Sequence, residues 1–193
     1  MKKVFDHMSY LPDMEQIDSP VMDEVLSAVR AYDYNQYTEQ DVRAALRQRV
    51  IDPAAFGVLL SPAAQPFLEE MAARATEETR ARFGNTICMF TPLYIANYCE
   101  NECVYCGFNC KNRIHRGKLT MEEIEREMQA IANTGLKEIL LLPGESRSMS
   151  PVEYIGDAVK LARRYFSPIG IEIYPRNVNE YAYLHECGVD YVT

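Results

Sequence analysis

The sequence predicts an α/β protein in two parts: a helical extension over residues 1–85 and about four β/α units over residues 86–193. In the first part, apolar residues recur at helical spacing behind residues that favour helix N-termini. From Thr86 onward, apolar runs alternate with helical segments in the order β-α-β-α-β-α-β, which is typical of a parallel sheet. Only 108 residues follow Asn85, whereas a complete eight-unit barrel takes about 250 residues. We therefore expect the first half of a parallel barrel, in a chain that is truncated.

Four helices are predicted in the extension from the residues that open them. Serine, threonine and aspartate cap helix N-termini, and proline fits the first helical position. The openings are Ser19-Pro20, Thr38, Asp52-Pro53 and Ser61-Pro62. The first helix carries an apolar stripe that includes Val21 and Val25, and the last and longest helix should end at Gly84. We interpret these helices as cover for one end of the following domain.

Four strands are predicted in the second part, over residues 87–96 (interrupted by Pro92), 138–142, 170–175 and 189–193. Helices should begin at Thr120, at Ser150-Pro151 and at Asn177, where capping residues precede apolar stripes. Residues 138–142 are apolar without alternation, which suits a parallel strand buried on both faces. The first strand leads directly into a group of cysteines, so these lie at the carboxyl end of a strand, where barrels carry their functional loops.

Composition and charge exclude several classes of protein. The formal net charge is −8 and no long basic run occurs, which disfavours nucleic acid as a partner. No apolar run approaches the ~20 residues that cross a bilayer, and the amino terminus lacks the apolar core of a signal peptide. Six cysteines in such a chain indicate a reducing cytoplasm and metal chemistry.

Three of the cysteines lie within eight residues. Cys99, Cys103 and Cys106 have the spacing Cys-x3-Cys-x2-Cys, and cysteine thiolates are the usual ligands of iron–sulfur clusters. Three ligands for the four irons of a [4Fe–4S] cluster would leave one iron open. Spacing alone leaves two alternatives: structural zinc, with Cys110 or His115 as the fourth ligand, and a redox sensor that holds a cluster without turnover.

The sequence segments around the cysteines resemble one family. With Tyr105 before the third cysteine, the spacing resembles the signature of radical S-adenosylmethionine enzymes. The flanking segments resemble those of one group of these enzymes, the tyrosine lyases of the 2-iminoacetate synthase type. The tyrosine lyases of [FeFe]-hydrogenase maturation are near neighbours. The segments are residues 92–99, 106–109, 112–114 and 116–119. The resemblance extends over residues 61–193 and is weaker before them.

The resemblance implies a radical-SAM (β/α)8 barrel and assigns roles to six residues. Cys99, Cys103 and Cys106 would bind a [4Fe–4S] cluster, and Cys110 would not, since a fourth thiolate would occupy the open iron. Gly144 and Glu145 would contact the amino group of S-adenosylmethionine, and Tyr105 would lie beside its adenine. Many relatives have threonine where this chain has Pro143. Cys88 and Cys187 are interpreted as small apolar residues of the scaffold.

The reaction implied by the resemblance is cleavage of the Cα–Cβ bond of L-tyrosine to 2-iminoacetate and 4-methylphenol, for the thiazole part of thiamine. It implies a flavodoxin- or ferredoxin-type electron donor and thiazole synthase as partners; catalytic side chains are not identified. Because later strands would supply further contacts, we expect this chain alone not to cleave tyrosine. A basic run follows the cysteines, and one of its members is a candidate to meet a ligand carboxylate. The run comprises Lys111, Arg113, His115, Arg116 and Lys118.

Overall fold

A computed structural model describes residues 13–17 and 19–193. The described residues form two compact units. We call residues 17–87 the helical unit, and residues 88–193 together with residues 13–16 the sheet unit. None of the helices in the described ranges combines the length and the apolar character that spanning a membrane requires.

The helical unit contains four α-helices, and local capping rules account for where they begin. They are α1 (Val21–Ala31), α2 (Glu39–Leu46), α3 (Pro53–Leu59) and α4 (Leu68–Phe83). The predicted cap at Thr38 is confirmed as a capping box with Asp41, and the Asp52 carboxylate accepts from the Ala55 amide at 2.7 Å. The prediction that an α-helix begins at Ser61-Pro62 was wrong, because residues 62–67 form a 3₁₀-helix that leads into α4. Pro66 explains this, because it has no amide hydrogen to continue an α-helix.

The apolar stripe of α1 is not buried. Its predicted residues lie at helical spacing, yet α1 contributes no buried residue to the unit. The core of the helical unit is formed instead between α2, α3 and the 3₁₀-helix, by Val42, Ala45, Ala55, Leu59, Ala64 and Phe67.

The sheet unit confirms the alternating parallel topology. Its strands are β1 (Phe90–Ala96), β2 (Glu138–Pro143), β3 (Ile169–Ile171) and β4 (Tyr191–Val192), adjacent in chain order and all parallel. The connecting helices are α5 (Met121–Asn133), α6 (Val152–Ala162) and α7 (Val178–Cys187). The capping box at Thr120 is present, and at Asn177 the Glu180 carboxylate accepts from the Asn177 backbone amide at 3.0 Å. Four successive residues of β2, 139–142, are buried, as expected of a strand covered on both faces.

Three strand boundaries differ from the prediction. Pro92 does not interrupt β1. Among the four described strands β1 has β2 as its one neighbour, and a strand at the edge of a sheet tolerates a residue without an amide hydrogen. Residues 87–89 precede the strand. β3 and β4 are shorter than predicted. Past their ends the ladder continues through the Glu172 amide, which donates to Leu141 O at 3.0 Å, and the Thr193 amide, which donates to Ile171 O at 3.1 Å.

Candidate functional site

The three closely spaced cysteines lie in a long loop that follows β1. We call residues 97–117 the cysteine loop; it is bounded by an isolated bridge between Ala96 and Lys118. Cys99, Cys103 and Cys106 are all half-buried, whereas Cys110 is exposed. Outside the loop, Cys187 is buried as a scaffold residue, but Cys88 is exposed, so its interpretation as part of the scaffold was wrong.

One arginine organises the cysteine loop from within. The Arg116 guanidinium donates to the carbonyl oxygens of Asn97 at 2.6 Å, Phe108 at 2.9 Å and Asn109 at 2.7 Å, and more weakly to that of Asn112 at 3.4 Å. A guanidinium can serve several carbonyls at once because its donors are spread in a fixed fork. Arg116 is therefore occupied by backbone of this loop.

Two other members of the basic run are also engaged within the protein. Lys111 pairs with Glu102, and the Lys118 ammonium lies 4.1 Å from the centre of the Tyr154 ring. Arg113 and His115 are exposed. The expectation that a member of this run meets a ligand carboxylate therefore receives no support from Arg116, Lys111 or Lys118.

Asparagine side chains close the loop around the cysteines. The Asn109 amide donates to Cys103 O at 3.0 Å, and the Asn112 amide donates to Gly107 O at 3.1 Å. Cys110 donates its backbone N–H to Asn101 O at 2.8 Å. These bonds hold together the backbone that carries the three cysteines.

The loop after β2 lies directly against the cysteine loop. We call residues 144–150 the Glu145 loop. Gly144 donates its N–H to Ala96 O at 2.9 Å, and the Glu100 N–H donates to Glu145 O at 2.8 Å. A Cβ on Gly144 would lie 2.2 Å from Tyr98 O, closer than atoms approach. Glycine is thus required here by the backbone that leads into Cys99.

Side chains add a second connection between the two loops. The Asn101 side-chain amide donates to Glu145 Oε2, and the Ser146 hydroxyl donates to Glu100 Oε1 at 2.8 Å. The sequence predicts the cysteines and Glu145 at neighbouring strand ends, but it does not identify Asn101 or Ser146 as site residues. The only signal for Asn101 was its place between two cysteines.

The donor set fits an iron–sulfur cluster in its chemistry. One loop provides three half-buried thiols, which are soft ligands. Within residues 13–17 and 19–193, no three His, Cys, Asp or Glu side chains are arranged around a single metal ion. Tyr105 is 90% exposed in this loop, and its contact with a cofactor stays a prediction.

Comparison with known proteins gives one family. Residues 93–193 match the radical SAM superfamily. The chain is 40% identical over 156 residues to 2-iminoacetate synthase from Salmonella typhimurium and, equally, from Escherichia coli; the match covers 81% of this chain and 41% of each relative. This chain thus spans less than half the length of the curated relatives that it matches.

Solved structures agree with this assignment. A crystal structure of HydG, a maturase of the [FeFe]-hydrogenase, superposes with a TM-score of 0.76 at 29% identity, over 86% of this chain and 39% of that one. Methylornithine synthase (PylB) superposes with a TM-score of 0.57 at 22% identity, over 86% of this chain and 45% of that one, and shows the fold alone.

Proposed function

We propose, because this chain belongs to the radical SAM superfamily, that it acts as a carbon–carbon lyase of the 2-iminoacetate synthase type. The reaction would cleave the Cα–Cβ bond of L-tyrosine to 2-iminoacetate and 4-methylphenol. The 40% identity to two curated 2-iminoacetate synthases supports this assignment over most of the chain. The proposal includes an electron donor of flavodoxin or ferredoxin type, thiazole synthase as partner, and a cytoplasmic location.

Members of the superfamily use a [4Fe–4S] cluster and S-adenosylmethionine. In this chain we assign the cluster to Cys99, Cys103 and Cys106, and we leave Cys110 free. The half-burial of the three thiols, against the exposure of Cys110, supports this set. When bound, the two cofactors supply the radical chemistry by which a hydrogen is removed from the substrate.

The chain's own residues position the cofactors. The Glu145 carboxylate would accept hydrogen bonds from the amino group of S-adenosylmethionine, and Tyr105 would lie beside the adenine. Asn101 orients Glu145 by donating to one of its carboxylate oxygens. Gly144 allows the two loops to meet. The observation that carries the proposal is this contact, because it brings the predicted cluster ligands and the predicted cofactor carboxylate to one edge of the sheet.

Titration calorimetry with S-adenosylmethionine on anaerobically reconstituted protein tests this site. Glu145→Gln should weaken binding by about 1.5–3 kcal/mol, because a charge-assisted hydrogen bond is lost. Asn101→Ala should weaken it less, and its effect should largely vanish in the Glu145→Gln background, since the two side chains act as one unit. Glu102→Gln is the matched control, because Glu102 lies in the same loop but pairs with Lys111.

Iron content separates the possible results. If Glu145→Gln binds S-adenosylmethionine as the wild type does while retaining its iron, Glu145 does not hold the cofactor. If the wild type retains iron but binds no S-adenosylmethionine, the assignment of the cofactor site fails as a whole.

A second candidate function is that of the tyrosine lyase in [FeFe]-hydrogenase maturation, favoured by the superposition on HydG. Complementation separates the two. Because we expect this chain alone not to cleave tyrosine, the test uses a version extended to the length of the curated relatives. Its expression in a strain that lacks 2-iminoacetate synthase should restore growth without thiamine, and growth rescue there would favour our first proposal. Restored hydrogenase activity in a strain that lacks the maturase, without thiamine rescue, would favour the second.

A further inference from the structure

The cysteine loop closes where its two ends run side by side. We call residues 95–97 and 117–119 the neck of this loop. The Leu119 amide donates to Ile95 O at 2.9 Å, and the Asn97 amide donates to Gly117 O at 3.0 Å. A side chain that contacts the neck therefore acts on both ends of the segment that carries the three thiols.

Tyr154, in the first turn of α6, makes such a contact. Its hydroxyl donates to Ile95 O at 2.9 Å and to Leu119 O at 2.8 Å, so one hydrogen serves both sides of the neck. Burial, with the Glu123 carboxylate as a second cause, raises the pKa of Tyr154 to about 12. The phenol therefore keeps its hydrogen, and remains a donor, at neutral pH.

The neck also holds both ends of the Glu145 loop. At the beginning of that loop, the Gly144 N–H donates to Ala96 O at 2.9 Å. At its end the chain enters α6, which carries Tyr154. The carbonyls of two successive residues, Ile95 and Ala96, thus accept hydrogen bonds from the two sides of the loop that contains Glu145.

The ring of Tyr154 and its hydroxyl serve different contacts. The ring packs against the hydrophobic core of the sheet unit, and the Lys118 ammonium lies 4.1 Å from its centre. These contacts need an aromatic ring but no hydroxyl. Tyr154→Phe therefore removes the hydrogen bonds to the neck and keeps the packing, which separates a role at the site from a role in the core.

We propose that Tyr154 is a positioning residue of the metal centre, whose hydroxyl holds the neck of the cysteine loop against α6 and so sets the placement of the three thiols relative to the Glu145 loop. The inference rests on the proposed function, because it requires a cluster on the thiols and S-adenosylmethionine between the two loops. Tyr154 acts through the backbone of the neck and touches neither cofactor.

Tyr154→Phe in the anaerobically reconstituted chain tests this role by two readouts. Release of iron to a ferrous chelator should be about threefold to tenfold faster than in the wild type, because one hydroxyl hydrogen bond no longer opposes opening of the neck. Calorimetry should show S-adenosylmethionine binding weakened by a similar factor, since its two binding loops are less well placed.

Tyr165→Phe is the matched control. Its hydroxyl belongs to the same unit, donates to Glu125 at 2.7 Å and accepts from Gln129 at 3.2 Å, so the same group is lost on the helices. Both variants should lower the melting temperature to a similar extent, and the control should leave iron release and cofactor binding unchanged.

Hydrogen exchange locates the effect within the fold. In Tyr154→Phe the Asn97 and Leu119 amides, which form the neck, should exchange several-fold faster. The Glu172 amide, which donates to Leu141 O between β2 and β3, should exchange as in the wild type.

The possible results are distinct. If Tyr154→Phe matches Tyr165→Phe in iron release, in cofactor binding and in exchange at the neck, the hydroxyl serves the scaffold alone and the inference is wrong. If the wild type retains iron but binds no S-adenosylmethionine, the cofactor site of the proposed function fails, and iron release with exchange still decides whether Tyr154 holds the neck. A wild type that retains no iron refutes the cluster assignment, and the inference with it.

Discussion

Replacing Gly144 with alanine should separate the two loops of the candidate site. The new Cβ would lie 2.2 Å from Tyr98 O and 2.7 Å from Tyr98 C, and both are backbone atoms that cannot rotate away. Ordinary contact is ~3.5 Å, so the two backbones must part by about 1 Å. That displacement takes the bonds from Gly144 N to Ala96 O (2.9 Å) and from Glu100 N to Glu145 O (2.8 Å) beyond hydrogen-bond length.

The magnitude follows from these two losses and the overpacking. Each backbone hydrogen bond contributes about 0.5–1.5 kcal/mol, and overpacking costs about 1–3 kcal/mol. Gly144→Ala should therefore lower the free energy of unfolding by about 2–6 kcal/mol. Urea unfolding measures this change, and iron content after anaerobic reconstitution reports whether the cysteine loop still holds a cluster.

Gly107→Ala is the matched control, because Gly107 lies in the cysteine loop and an added Cβ there would meet nothing within 4 Å. We expect it to unfold and to bind iron as the wild type does. If Gly144→Ala matched the Gly107→Ala control in both stability and iron content, the close approach of Tyr98 would not constrain the site.

Three further changes test separate features. Arg116→Lys keeps the charge but cannot span four carbonyls, so it should lower iron retention and destabilise the protein by roughly 2 kcal/mol; unchanged retention on gel filtration would contradict this. Cys103→Ala should abolish the cluster and Cys110→Ala should spare it; equal iron loss in both variants would overturn the ligand set. The hydrogen bond from Arg163 holds the pKa of the Asp190 carboxyl below its usual range. The pair therefore stabilises the fold fully when the pH is above the pKa that Asp190 has in the unfolded chain. This stabilisation is lost as the pH falls through the lower pKa that Asp190 has in the folded protein. In urea unfolding, Asp190→Asn should lower the free energy of unfolding by under ~1 kcal/mol at pH 7, because the pair is partly exposed. At strongly acidic pH it should not change that free energy. An equal decrease at both pH values would show that the ion pair does not stabilise the fold.

Helix beginnings were predictable because their causes are local. Thr38, Thr120 and Asn177 each cap a helix through a residue three positions later, so a window of four residues contains the whole interaction. Strand ends were less predictable. Pro92 interrupts the hydrogen-bond ladder only if a neighbouring strand lies on the side that its nitrogen faces, and the sequence alone does not show that β1 lies at an edge of the described sheet.

The candidate site was likewise predictable from the sequence only where its pattern is local. The three cysteines are recognisable because their spacing is local, and Glu145 because it follows a strand with a characteristic pattern. The residues that connect them are not recognisable: Asn101 and Glu145 are 44 positions apart, and their hydrogen bond exists only once β1 and β2 are paired.

The register of β1 on β2 therefore sets the geometry of the whole site. Tyr94 pairs with Leu142 but Ala96 pairs with Pro143, so β1 contains one extra residue, Ile95, at its carboxyl end. Such bulges occur beside functional sites because they redirect the chain that follows. Here the bulge places Ala96 O on the amide of Gly144 and so brings the segment leading to the cysteines onto the Glu145 loop. A slip of one residue would move the loops by ~3.3 Å relative to each other. That distance exceeds the tolerance of the Asn101–Glu145 hydrogen bond, so the contact between the Glu145 side chain and the cysteine loop depends on the register of β1 on β2.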